Sequence, residues 1–139
     1  MSDTVAAYGF GTDLNLPYEQ AIEQVTAALK AEGFGVLTTI DVRATLKQKL
    51  DVEFEPYVIL GACNPQLAHR AFQVAHEIGL LLPCNVIVHS HGAGTRVDIV
   101  DPAAMLSVAN HPKLAPIANE ASERLHRVIE SLQQQALHT

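Results

Sequence analysis

The chain has 139 residues, of which 48% are hydrophobic and 17% charged, so it can bury a core within one domain and is not disordered over most of its length. Nine basic and 15 acidic residues give a formal net charge of −6, which argues against nucleic acid or an anionic membrane as a partner. Because Trp is absent and aromatic residues make up only 5%, we expect an aliphatic core. We predict a single domain over residues 1–139, with its core between about residues 5 and 132.

The sequence shows neither a secretion signal nor a membrane span. No basic segment followed by an apolar stretch opens the chain. The longest stretch without a charged residue, 78–95, contains a proline, two histidines and three glycines and would make a poor membrane helix. The chain also contains only two cysteines. We therefore expect a cytoplasmic protein with reduced thiols.

The first third of the chain predicts strand, helix, strand. Residues 5–13 alternate loosely and predict a strand. Pro17 opens a helix, with Asn15 as its possible cap, and Gly33 ends it. The β-branched stretch 35–42 predicts a second strand.

The middle of the chain predicts a short helix and a central strand. Asp41 is placed to cap a helix over residues 43–50, in which Leu46 and Leu50 would pack inward. The continuous apolar run 57–62 predicts a strand that is buried on both faces.

The remaining segments predict an alternation that ends in a hairpin. A helix over 66–77 is followed by a strand over 86–89, and a Gly-rich turn leads to a returning strand over 96–100. A short helix follows Asp101, and a long helix with an apolar stripe ends in a polar tail from Gln133 that should fray. Helices alternating with early strands and a late hairpin favour an α+β sandwich with a mixed or antiparallel sheet and helices on one face.

Two Cys-Asn motifs resemble a known family. They lie in Leu60-Gly61-Ala62-Cys63-Asn64-Pro65 and in Gly79-Leu80-Leu81-Leu82-Pro83-Cys84-Asn85-Val86, and matching pieces extend from about residue 5 to residue 132. The chain is similar to the bacterial and archaeal DUF302 family, a domain of unknown function. The resemblance implies a TBP-like β-α-β(4)-α topology and a tendency to form dimers, and it supplies no established catalytic residue. Where that family would carry a tyrosine-and-acid pair, this chain has His89-Ser90-His91.

Cys63 and Cys84 are the first candidates for chemistry. Cys63 would lie just before the N-terminus of the helix over 66–77, where backbone N–H groups lower the pKa of a thiol. The pair is suited to a redox or reactive role, or to holding a soft metal such as Cu(I) or Zn. Two buried cysteines that act as small hydrophobes fit the same pattern. Pro83, Asn64 and Asn85 adjoin the thiols and can border a ligand there, while Asn beside a bend is also typical of a turn.

His89 and His91 form the second candidate site. Residues two apart on a strand share a face, so the two imidazoles can supply half of a metal site, with Asp98 or a second subunit completing it. A solvent-exposed strand end explains the same pattern. No nucleotide-binding, hydrolase-elbow or zincin motif occurs.

Three function classes stay open. The first is a dimeric module that binds a small molecule or metal ion near the Cys-Asn loops, and the absence of a complete catalytic constellation favours it. The second is a thiol-dependent redox protein or enzyme that uses Cys63 and Cys84. The third is a structural homodimer without chemistry.

Overall fold

Six strands form one antiparallel sheet in the computed structural model of the chain, which describes residues 3–137 and the side-chain surroundings of residues 7–135. The strand order is β1-β2-β6-β5-β4-β3, and each strand runs antiparallel to its neighbours. The mixed α+β class is confirmed, whereas the TBP-like topology stays a prediction. The strands are β1 (Asp3–Ala6), β2 (Gly9–Leu14), β3 (Gly35–Asp41), β4 (Tyr57–Cys63), β5 (Cys84–His91) and β6 (Gly94–Val100).

Helices α1 and α5 pack against the sheet and against each other. Helix α3 packs on α5, and α2 links the edge strand β3 to β4. Within the described range, no helix has both the length and the apolar character needed to cross a membrane. The helices are α1 (Tyr18–Ala31), α2 (Val42–Leu50), α3 (Pro65–Val74), α4 (Pro102–Leu106) and α5 (Ala115–Leu137), with 3₁₀ segments at His76–Leu81, Ser107–Ala109 and Pro112–Leu114.

The core lies between one face of the sheet and the helices. On β5, Val86 and Val88 are fully buried toward this core, and the intervening Ile87 is on the opposite, open face. The helices contribute aliphatic stripes such as Val25 and Leu29, so burial of branched aliphatic surface supplies most of the stabilisation. The expected aliphatic core is confirmed, since Phe10 and Phe34 are its only buried aromatics among residues 7–135.

Short polar side chains cap the N-termini of three α-helices. The Asp41 carboxylate accepts a hydrogen bond from the backbone N–H of Ala44 at 2.9 Å, which confirms the predicted cap of α2. Asp101 caps α4 in the same way. Gly33 follows α1 with a φ of 85°, a conformation in which glycine carries no steric penalty.

Several predicted boundaries are wrong at the ends of elements. The first strand is two strands joined by a turn at Ala7–Tyr8. Asn15 caps nothing, because α1 begins after Pro17 and has no side-chain cap. Helix α3 ends at Val74 because Ala75 is extended, and the following 3₁₀ segment carries Ile78 into the core.

Two burial predictions and the predicted fraying of the tail also fail. Leu50 is 66% exposed, since α2 buries no residue fully. Strand β4 is not buried on both faces, because Tyr57 and Ile59 are only half-buried on its open side. The tail from Gln133 does not fray there: α5 continues to Leu137, and the Gln133 side chain donates a hydrogen bond to the hydroxyl of Thr12 at 3.3 Å.

Candidate functional site

The two Cys-Asn motifs meet at one end of the sheet. Cys63 is the last residue of β4, Cys84 is the first of β5, and Cys84 lies directly opposite Ala62 in the antiparallel pair. Both cysteines are half-buried free thiols. The adjacency was expected only if these strands were neighbours, and the sheet order confirms that they are.

One narrow cavity lies between the two motifs. Its volume is about 40 Å³, far below the roughly 300 Å³ at which pockets for small organic ligands begin. Its surface is almost entirely apolar, so the two sulfurs are its distinctive groups. The lining includes Cys63, Asn64, Pro83 and Cys84 from the motifs, together with Phe34, Leu67, Leu106 and Ile117 from the surrounding core.

The two asparagines differ in position and role. Asn64 is buried, and its side-chain oxygen accepts a hydrogen bond from the backbone N–H of Leu67 at 3.1 Å, so it caps α3. Asn85 is exposed and does not line the cavity. Four of the five predicted site residues therefore come together, and Asn85 is not among them.

Glycines allow the loops around the cavity to approach closely. A Cβ at Gly61 would overlap the hydroxyl of Thr38 and lie 2.8 Å from Cγ of Pro83. A Cβ at Gly33 would lie 2.8 Å from the amide nitrogen of Asn64. Both distances are too short for a real side chain, so the walls of the cavity pack against glycine backbone.

Burial governs the electrostatics of the two thiols. It raises the pKa of Cys63, and burial together with the nearby Cys63 raises the pKa of Cys84 to about 11. The direction of the pKa shift at Cys63 is opposite to the expectation from the α3 N-terminus, and its cause is desolvation by burial. At neutral pH both groups are therefore thiols, the form that is less reactive as a nucleophile.

His89 and His91 share the open face of the sheet, as predicted. Their ring centroids are 6.2 Å apart in an edge arrangement, and His89 also stacks on Tyr57 at 5.1 Å. Nδ1 of His89 donates to the carbonyl oxygen of Ser90 at 2.9 Å, so the neutral ring carries an unprotonated Nε2. His91 Nε2 lies 3.9 Å from an oxygen of Asp13.

An arginine–carboxylate network occupies the same face of the sheet. It was not predicted from the sequence. The Arg96 side chain is only 11% exposed and donates to Asp98 at 3.0 Å and to Asp13 at 3.4 Å. Gly11 makes room for it, since a Cβ there would overlap the Asp98 carboxylate. The period-two spacing of Arg96 and Asp98 could have revealed it. The strand register aligns Asp13, Arg96, His89 and Tyr57 in one row across four strands.

Two further observations concern the other polar clusters among the described residues. Within the described part of the chain, no group of three or more His, Cys, Asp or Glu side chains is arranged to hold a metal ion. The Ser122 hydroxyl donates to Asp101 at 3.0 Å, and His126 Nδ1 donates to the Ser122 carbonyl at 2.8 Å. This Ser–His–Asp grouping lacks the arrangement of a triad, because the serine donates to the carboxylate instead of to the imidazole.

The fold and the cavity define a small antiparallel α+β domain with two thiols at one end of its sheet. The sequence profile described as "Domain of unknown function DUF302" matches residues 10–132, so the chain belongs to the DUF302 family, and the predicted membership is confirmed. A solved structure titled "Crystal structure of uncharacterized conserved protein DUF302 from Bacillus stearothermophilus" is 32% identical and has a TM-score of 0.83. The match covers 90% of this chain and 98% of that one. A comparison with curated proteins finds no match.

Proposed function

We propose that the chain is a binding module that holds a single soft metal ion between Cys63 and Cys84. The observation that carries the proposal is that both thiols line one apolar cavity of about 40 Å³. That volume suits an ion or a few small atoms better than an organic molecule of ordinary size.

The available donors favour a soft ion of low coordination number. Thiolates prefer Cu(I) among the common biological metals, whereas structural Zn²⁺ takes four ligands. The cavity lining offers two sulfurs, and the amide oxygen of Asn64 already accepts a backbone hydrogen bond. Two-coordinate Cu(I) is therefore the ion that fits this donor set.

The direct test is Cu(I) titration of the reduced protein against a chromophoric Cu(I) chelator, with native mass spectrometry for stoichiometry. We expect one ion per chain, lost in Cys63→Ser and in Cys84→Ser. His91→Gln is the matched control and should bind as the parent protein does. Undiminished binding in both serine variants, or retention of a small organic molecule in place of the ion, would overturn the proposal.

The pH dependence of binding provides a second signature. Both thiols carry raised pKa values and must lose their protons to bind the ion. Affinity should therefore rise with pH, with about two protons released per ion while the pH stays below both pKa values. Proton release measured by calorimetry in buffers of different ionisation enthalpy reports this number, and a value near zero would contradict thiolate ligation.

A cytoplasmic homodimer completes the proposal. Among residues 7–135, five of the nine exposed large hydrophobic side chains belong to residues 37–54, on β3, α2 and the loop after α2. Leu37 lies where the β3–β4 register is interrupted, so the irregularity presents its side chain at the sheet edge. A second copy would bury this apolar surface. The surface consists of Leu37, Ile40, Leu50, Val52 and Phe54.

A further inference from the structure

A second cavity, separate from the cysteines, lies between α4 and the start of α5. Its volume is about 350 Å³, which falls in the range of pockets for small organic molecules. Leu106, Leu114 and Ala118 form an apolar lining and are each less than 8% exposed. We call it the α4–α5 cavity.

Polar groups border the α4–α5 cavity. The side-chain amides of Asn110 and Asn119 line it, and within residues 7–135 neither makes a hydrogen bond. Nδ1 of His111 accepts a hydrogen bond from the backbone N–H of Lys113 at 3.2 Å. The neutral His111 ring therefore carries its proton on Nε2, and the imidazole offers an N–H donor whether or not it is charged.

His111 also lines an adjoining groove of about 400 Å³ that contains Arg70 and Lys113. Arg70 pairs with Glu120 at 3.2 Å, but the same carboxylate also pairs with Arg124 at 3.0 Å, so Glu120 offsets the charge of Arg70 only in part. Within the described side chains, no carboxylate lies within 4 Å of the Lys113 ammonium, and the first turn of α5 carries no acidic residue. In a chain of net charge −6, this groove therefore holds at least one uncompensated positive charge next to an apolar cavity.

We propose that the α4–α5 cavity and this groove together bind a small organic carboxylate. The apolar or aromatic body of the ligand lies against Leu106, Leu114 and Ala118, and the carboxylate lies beside Lys113 and the N–H of His111. A monoanion fits better than a phosphate dianion because Glu120 already occupies Arg70. The site is distinct from the proposed metal site, and Cys63 and Cys84 do not line it.

Titration of the isotope-labelled protein with benzoate, followed by amide chemical shifts, tests the proposal, with benzamide as the neutral isostere. We expect saturable shifts confined to residues 103–119 and their neighbours on α3, with benzoate binding about fivefold more tightly than benzamide. Lys113→Gln should remove that difference. Lys30→Gln, an exposed lysine at the end of α1, should preserve it.

Three outcomes would overturn the proposal. The first is that neither benzoate nor benzamide gives saturable shifts up to about 10 mM, because a dissociation constant above that concentration is weaker than expected of a specific small-ligand site. The second is an unchanged preference for benzoate in Lys113→Gln with a native amide spectrum. The third is tighter binding of inorganic phosphate than of benzoate, which would make the groove a phosphate site.

Discussion

At the residue scale, the burial of Cys63 and Cys84 bears differently on the proposed metal binding and on nucleophilic chemistry. An active nucleophilic cysteine needs a lowered pKa and access to solvent, whereas burial raises the pKa of both thiols here. The two properties can be separated in solution because alkylation requires the free thiolate, while a soft ion displaces the proton as it binds.

We expect both cysteines to react slowly with iodoacetamide at pH 8. For Cys84, whose pKa is about 11, the loss of thiolate outweighs its greater intrinsic nucleophilicity and should slow the reaction by about tenfold or more relative to an unperturbed cysteine. Cys63 should react faster than Cys84 because its thiol is less deeply buried. Mass spectrometry of the time course gives both rates, with the urea-unfolded chain as reference. A Cys63 that reacts faster than in the unfolded chain would instead support the thiol-enzyme alternative.

At the element scale, Asn64 couples the candidate metal site to the start of α3. Its amide oxygen satisfies the backbone N–H of Leu67, and its amide nitrogen packs close to Gly33. The residue is thus a helix cap first, and any role near the cavity depends on that conformation.

Asn64→Ala should lower the free energy of unfolding by about 1 kcal/mol, because Leu67 N–H loses its partner in a buried position. Asn64→Ser should recover most of this loss, since serine also caps helices. Asn85→Ala is the matched control: its side chain is exposed, so a change within about 0.5 kcal/mol is expected. Urea unfolding followed by circular dichroism measures all three. Equal losses in Asn64→Ala and Asn85→Ala would contradict the assigned cap.

Sequence patterns predicted elements better than they predicted the site. Asp41 was recognisable as a cap because that role is local. The end of α3 was not, because it depends on Ile78 entering a core formed by distant segments. The pairing of Cys84 with Ala62 required the strand order, and the size of the cavity required the packing of Pro83 against Gly61. Desolvation, which reverses the expected pKa shift of Cys63, is likewise a tertiary property.

At the scale of the whole molecule, the helices cover one face of the sheet, and exposed apolar side chains concentrate on residues 37–54. Leu37 is 68% exposed, and Ile40 on the same strand is 49% exposed. In a monomer this apolar surface stays in contact with water, whereas a second copy that covers it removes apolar area from water on both chains.

Light scattering coupled to size exclusion should therefore give twice the chain mass. Leu37→Lys should shift the mass toward that of one chain, because it would bury a charge at the interface. Leu80→Lys is the control: Leu80 is 87% exposed but lies on the 3₁₀ segment after α3, outside the proposed interface. A monomeric parent protein, or the same mass for both variants, would refute this interface.

Leu106 lines both the cavity between Cys63 and Cys84 and the α4–α5 cavity, and Ile117 lines the cysteine cavity and the adjoining groove that contains Arg70 and Lys113. Two proposed sites thus share walls one side chain thick. An occupant that displaced Leu106 on one side would change the shape of the other side, so binding at one site would then alter the affinity of the other. Linkage makes such coupling reciprocal: by whatever factor a carboxylate alters the affinity for Cu(I), Cu(I) alters the affinity for the carboxylate. Binding of one ligand would then change the affinity of this small domain for the other ligand.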